Sequence, residues 1–300
     1  MKDNILIKGI LPALITPFDD GQMIRKASVK PLLDYGYSAG VDGFYVCGGT
    51  GEGPVLRPSA RMDMLEAVMD ANGGRGKIVV HVGAPNPLDT IDLARHAEKC
   101  GADAVSCLAP LYQYKYTADE LISYYRRLAG SVSTPLIVYA AGSLPASASL
   151  AVMKELLTVD NVIGIKYSLD DYAAMMELKR LNGGNINVLN GPDDTLLCGL
   201  SMGADGGIGA TYNIMPDRYV GIYRAFIRGD IAEARRIQGT CNDVLRSLLK
   251  YSKNSSIKSV KAVLSMMGFD VGHAAYPAEH YSDETMAALK KEMTELDILR

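Results

Sequence analysis

Apolar residues along this 300-residue chain gather in short runs that alternate with longer stretches of helical period. The runs are ILPALITPF (10–18), GFYVCG (43–48), KIVVHVG (77–83), DAVSCLAP (103–110), PLIVYA (135–140), VIGIKYS (162–168), INVLNG (186–191) and DGGIGA (205–210). Almost continuously apolar and often β-branched, they read as strands buried on both faces, as in a parallel sheet. The stretches 26–39, 59–72, 87–100, 117–130, 147–158, 170–182 and 193–201 read as helices between them. Strand and helix in alternation predict a parallel sheet covered by helices. Eight such units predict a closed (β/α)8 TIM barrel rather than an open doubly wound sheet.

An internal repeat supports the count. AGVDGFYV (39–46), CGADAVSC (100–107) and MGADGGIG (202–209) each close a helix, turn at Gly, pass through Asp and enter a strand. Glycine suits the left-handed residue that ends a helix. The repeats start 61 and 102 residues apart, two and four units if one β-plus-α unit takes about 25–30 residues. From about residue 215 the strands stop and three or four helices follow. The expected organisation is a barrel over 1–215 and a C-terminal helical extension over 216–300 packed on it, one structural unit.

Composition narrows the function. The net charge is −3, with 48% hydrophobic and 22% charged residues and no stripe of Lys and Arg. That argues against nucleic acid or an anionic membrane surface as partner. The first twenty residues lack a signal-peptide layout, and no run approaches the roughly 20 apolar residues that span a bilayer. Cys47, Cys100, Cys107, Cys198 and Cys241 are odd in number and lie mostly in apolar surroundings. They read as reduced core residues of a cytoplasmic protein. Four histidines without a CxxC or HExxH spacing give no zinc signature, so no metal is expected.

In a barrel of this kind the chemistry collects where strands run into βα loops. Lys166 closes the apolar run VIGIK, where burial disfavours its ammonium form. A lysine with a lowered pKa keeps a neutral amine that can attack a ketone and form a Schiff base, an electron sink for breaking or making a C–C bond. The competing reading is a lysine that snorkels past the strand end to Asp170 or Asp171. Tyr139 ends the adjacent strand and can shuttle a proton, or it is one core tyrosine among seventeen. GGTGEGP, with Gly49 and Thr50, is either an anion nest of backbone N–H groups or a tight turn. Asp193 and Asp194 read as the cap and first turn of the next helix, or as partners for the hydroxyls of a polyol. Tyr112, Ser168 and His81 also fall at strand ends.

With these residues in view, the sequence resembles the pyruvate-dependent class I aldolases of the dihydrodipicolinate synthase and N-acetylneuraminate lyase family. The resemblance covers essentially the whole chain: ALITPF, GGTGE, HVGA, the tyrosine that ends PLIVY, GIKYS and ADGGIGATYNIMP. The last stretch and GDIAEARRIQ look most like the lyase branch. The resemblance implies Lys166 as the Schiff-base lysine and Tyr139 as the proton shuttle. It implies a Gly49–Thr50 turn that binds the keto-acid carboxylate, and a Tyr112 hydroxyl offered to a neighbouring subunit of a homotetramer. Gly191, Asp193 and Asp194 would hold the sugar tail, with Ser168 and Ala210 beside the substrate hydroxyls. The partners implied are a small keto acid and a sugar aldehyde, with no cofactor.

Three departures bear on the substrate. Gly49 stands where the family usually has Ser or Thr, whose hydroxyl links two tyrosines in a proton relay. Leu144 stands where the synthase branch has an arginine for a second carboxylate, which a leucine cannot pair. Asp194 and Ala210 stand where lyases usually carry Glu and Ser. The expectation is reversible cleavage of a 2-keto-3-deoxy sugar acid, N-acetylneuraminate first, to pyruvate and an aldehyde. A gluconate-type aldolase, a dihydrodipicolinate synthase-like protein and a non-catalytic keto-acid-binding protein are the alternatives.

Overall fold

A computed structural model describes residues 7–110, 116–141, 149–252 and 256–299. Its strands are β1 (Gly9–Pro12), β2 (Gly43–Val46), β3 (Lys77–His81), β4 (Ala104–Leu108), β5 (Leu136–Ala141), β6 (Val162–Ser168), β7 (Asn187–Asn190) and β8 (Gly206–Gly209). They pair in parallel in the order β1-β8-β7-β6-β5-β4-β3-β2. The ring closes where β1 meets β2: Ala13 bridges Tyr45, and Leu14 N–H donates to the Tyr45 carbonyl at 2.9 Å. This is the expected (β/α)8 barrel.

The helices are α1 (Val29–Ala39), α2 (Pro58–Asn72), α3 (Pro87–Lys99), α4 (Ala118–Ala129), α5 (Leu150–Leu156), α6 (Tyr172–Lys179), α7 (Leu196–Ser201), α8 (Pro216–Ile227), α9 (Ile231–Ser252), α10 (Ile257–Met266) and α11 (Asp283–Glu295). Local chemistry sets several starts. Proline opens α2, α3 and α8, where its missing N–H is not needed. Thr117 and Glu120 form a reciprocal capping box at α4. The first strand is shorter than the run 10–18 predicts. Pro12 has no N–H to continue a ladder, and beyond it the chain divides its bonds, Ala13 to Gly209 of β8 and Leu14 to Tyr45 of β2.

The repeat has a physical basis at the N-terminal end of the barrel. Gly40, Gly101 and Gly203 take φ of 91°, 77° and 97°, as the turn reading requires. The aspartate that follows in each copy is a strand clamp, which the sequence reading did not assign. Asp42 Oδ2 accepts the Ile10 N–H at 2.8 Å, Asp103 Oδ2 that of Ile78 at 2.9 Å, and Asp205 Oδ2 that of Val188 at 2.9 Å. Each aspartate's own N–H returns to the carbonyl of the same strand residue. Every copy thus ties an incoming strand to its predecessor.

Two layers of core follow from the alternation of side chains along each strand. Leu11, Tyr45, Val79, Ala104, Ile137, Leu189 and Ile208 fill the barrel interior. Val46, Val80, Val105, Val138, Ile165 and Val188 face the helices. Helix α8 packs on β1, α1 and α7, so it completes the outer ring. We therefore place the boundary between barrel and extension after Ile227 rather than after 215, with α9, α10 and α11 as the extension. No helix among the described residues is long and apolar enough to cross a membrane.

Replacing Asp205 with alanine would strand the Val188 N–H and the Lys179 ammonium, which Asp205 meets at 2.9 Å. Urea unfolding of Asp205→Ala should show a loss of about 2 kcal/mol with an unchanged m-value. A loss below about 0.5 kcal/mol would contradict the clamp.

Candidate active site

Lys166 faces inward because β6 alternates: Ile165 and Tyr167 belong to the layer under the helices, so the residues between them point into the barrel. Its side chain is only 5% exposed. Nζ lies 4.1 Å from the centroid of the Tyr45 ring and 4.4 Å from that of Tyr139. Tyr139 sits directly opposite Lys166 in the β5–β6 register. The snorkelling alternative does not hold, since Nζ lies between the Tyr45 and Tyr139 rings and Asp171 instead caps α6 through the Ala174 N–H at 2.9 Å. Two effects compete at the amine. Burial disfavours the ammonium, while the aromatic faces, the Tyr139 phenol and the Asp193 carboxylate favour it. Burial wins, and the pKa falls below the ordinary 10.5.

Behind this pair stand Tyr45, which sequence reasoning did not assign to the site, and His81, which it placed at a strand end without a role. Tyr45 donates its hydroxyl to Ser106 Oγ at 3.1 Å across the barrel, which fixes the ring that faces Lys166. His81 ends β3 with its ring 6.1 Å from Tyr139, edge to face. Its Nε2 accepts the Leu108 N–H at 3.2 Å, and Arg61 Nη2 lies 3.4 Å from its Nδ1. Burial pushes the His81 pKa well down, and the nearby Arg61 and Lys166 charges push it further. His81 is therefore a neutral cross-brace at pH 7. Arg61, on α2 and 3% exposed, donates to the carbonyls of Gly83 and His81. Period-two spacing from Val79, which fills the barrel interior, was the available signal for the inward direction of His81.

The glycine-rich turn after β2 is built from unusual backbone. Cys47 and Glu52 take φ of 58° and 57°, in the left-handed region that non-glycine residues rarely occupy. Glu52 N–H bonds to the Gly49 carbonyl at 2.9 Å, Gly53 N–H to that of Gly48 at 3.0 Å, and Thr16 Oγ1 donates to that of Gly51 at 2.5 Å. Among the described residues no acceptor engages the N–H groups of Gly49, Thr50 and Gly51. Gly49 is exposed and Thr50 half-buried. A Cβ built on Gly49 would meet nothing within 4 Å.

On the opposite side, the β7 loop is held tightly against β6 and β8. Gly191 donates to the Tyr167 carbonyl at 2.8 Å, and a Cβ there would come 1.8 Å from Ser168 Oγ. Asp193 is 8% exposed. Its Oδ1 accepts the Ala210 N–H at 3.0 Å, and its Oδ2 accepts the Thr211 N–H at 2.7 Å and hydroxyl at 2.6 Å. Burial raises its pKa against these bonds and the Lys166 charge. Asp193 and Asp194 do lie in the first turn of a 3-10 helix (Asp193–Thr195), but Asp193 does not cap it: its carboxylate instead takes the N–H groups of Ala210 and Thr211 just beyond β8. Asp194 is exposed, and its carbonyl accepts from Asn242 at 3.0 Å. Tyr112 and Leu144 lie outside the described residues.

Comparison with known proteins places this geometry. The chain belongs to the dihydrodipicolinate synthetase family, whose model matches residues 6–296. It is 35% identical over 287 residues to an N-acetylneuraminate lyase of Rhizobium meliloti, covering 95% of this chain and 94% of that protein. It is 37% identical over 259 residues to an N-acetylneuraminate lyase of Escherichia coli, covering 85% and 86%. The solved structure of a Ruminococcus gnavus sialic acid aldolase superposes with a TM-score of 0.91 at 29% identity, covering 97% of each chain.

Because burial lowers the Lys166 pKa, its neutral amine appears at lower pH than that of a surface lysine. The rate of reductive alkylation at Lys166 by a small aldehyde and borohydride, followed by peptide mapping, should be half-maximal below pH 10.5. A midpoint at or above that value would contradict the burial argument.

Proposed function

We propose that this protein is a class I aldolase that reversibly cleaves N-acetylneuraminate to pyruvate and N-acetylmannosamine. The observation that carries the reading is Lys166: a buried amine with a lowered pKa at a strand end, between the rings of Tyr45 and Tyr139. The family membership and the names of its relatives support the same chemistry. Lys166 Nζ attacks C2 of the open-chain keto acid, and loss of water gives an iminium. As the C3–C4 bond breaks, Tyr139 takes the proton of the C4 hydroxyl and the bonding pair moves into the iminium. The aldehyde leaves, the enamine takes a proton at C3, and hydrolysis releases pyruvate and the free lysine.

The remaining residues take positions in this scheme. Free N–H groups at Gly49, Thr50 and Gly51 receive the keto-acid carboxylate. Ser168, Gly191, Asp194 and Ala210 face the sugar portion, while Asp193 sets the β8 end from behind. Tyr112 serves the site of a neighbouring subunit in a homotetramer, so a monomer on sizing with full activity would overturn that assignment. The five cysteines are all free, which supports a cytoplasmic setting. One observation favours a second substrate: the Ala210 methyl and the short Asp194 carboxylate offer fewer contacts to a long glycerol tail, which suits a gluconate-type keto-deoxy acid.

Intact-mass spectrometry after incubation with N-acetylneuraminate and borohydride tests the reading, with Lys166→Ala alongside. A pyruvate-mass adduct absent from the variant is expected. An adduct carrying the whole sugar acid would mean binding without cleavage, and none would reject this substrate.

Open space around Gly49 permits a second test. Gly49→Ser restores a relay hydroxyl without steric conflict and should raise kcat by about tenfold with little change in KM for the keto acid. Unchanged kcat would show that proton transfer already proceeds by another route.

A further inference from the structure

Lys261 and Glu52 form a buried ion pair that the chemistry above does not use. Lys261 lies on α10 in the C-terminal extension and is 1% exposed, and its Nζ is 2.6 Å from Glu52 Oε1. The contact is a charge pairing rather than a directional hydrogen bond, since Oε1 lacks hydrogen-bond geometry. Nζ also donates to the His273 carbonyl at 2.8 Å and stands 4.0 Å over the Phe18 ring. The other Glu52 oxygen, Oε2, accepts the Ala275 N–H at 2.5 Å. Burial lowers the Lys261 pKa to about 8 against the pull of Glu52, so the ammonium persists at pH 7.

Residues 270–276 form a strap over the mouth of the barrel. Phe18 N–H donates to the Val271 carbonyl at 3.1 Å, Arg25 pairs with Asp270 at 2.6 Å, and Tyr276 N–H donates to Gln22 Oε1 at 3.0 Å. The strap therefore crosses the loop after β1 and reaches the turn after β2, and Lys261 anchors both from below. A buried ion pair is a poor choice for stability alone, because apolar residues of similar volume often do as well. What this pair does in addition, together with the Ala275 N–H, is hold Glu52 by both carboxylate oxygens. Glu52 is the left-handed residue whose N–H closes the turn onto the Gly49 carbonyl. Its backbone thus fixes where the free amides of Gly49, Thr50 and Gly51 point.

We propose that Lys261 is a positioning residue for keto-acid binding, acting through Glu52 to aim the 49–51 amides at the substrate carboxylate. The C-terminal extension is then a working part of the site. The inference rests on the reading of that turn as the carboxylate nest.

Borohydride trapping at Lys166 against pyruvate concentration tests it, with acetone as a ketone that lacks the carboxylate. Lys261→Met alone leaves Glu52 buried without its cation. The double variant Glu52→Gln/Lys261→Met removes both charges together and keeps an acceptor for Ala275, so it carries the test if the single variant does not fold. The half-saturating pyruvate concentration should rise by about tenfold, while the trapping rate at saturation stays within about twofold and half-saturation by acetone does not move. Wild-type trapping with an unchanged half-saturation in the double variant overturns the inference, whatever happens to thermal stability. Failure of wild-type protein to trap pyruvate overturns the aldolase reading first, and this inference with it.

Discussion

A primary amine held inside a closed barrel is the constraint around which the rest of the mouth is arranged. Strand alternation turns Lys166 into the barrel interior, where it is almost fully buried, so its surroundings decide its charge. Two phenol faces and a carboxylate at a distance moderate the cost of burial without abolishing it. The same interior acts on its neighbours: burial, with the Arg61 and Lys166 charges added to it, keeps His81 neutral. A neutral imidazole can accept the Leu108 N–H, which ties β3 to β4. Closure of the ring at Ala13 and Tyr45 completes the arrangement, since it brings the Tyr45 ring across from β2.

The barrel was legible because parallel strands covered on both sides leave apolar runs with little else in them. Lys166 was legible for the converse reason, as a charge inside such a run. Tyr45 was hidden because it looks like an ordinary member of an apolar strand, and the role of His81 was hidden although its place at a strand end was not, since their partners Ser106 and Leu108 belong to other units. Arg61 was hidden among the charged residues of a helix, where nothing local marks a buried guanidinium. Glu52 sits in a turn that reads as complete in itself, while the lysine that meets it comes from the far end of the chain. Asp193 shows a local rule giving way to a tertiary one. A pair of aspartates before a helix suggests a cap, yet the backbone just beyond β8 offered a stronger set of donors.

The two ends of the barrel are held by different means. At the N-terminal end, aspartates of the repeat join strand to strand through backbone groups, with Lys77 and Lys179 reinforcing two of the clamps. At the other end the ties run through side chains: His81 to the Leu108 N–H, and Asp193 to the Ala210 and Thr211 N–H groups and the Thr211 hydroxyl. Rigidity is therefore supplied largely from the end that carries no chemistry, in keeping with the division of labour of this fold.

That division makes the packing of Gly191 against Ser168 consequential. There is no volume for a side chain at 191 while the hydroxyl of 168 is present. A Cβ there would also come 2.9 Å from the Ser168 Cβ and 3.0 Å from the Tyr167 carbonyl, so a larger residue at 191 needs the end of β6 to move as well as the hydroxyl to go. Diversification of the sugar-facing wall is thereby channelled toward positions such as 194 and 210, which half-buried or exposed surroundings leave free to vary one at a time.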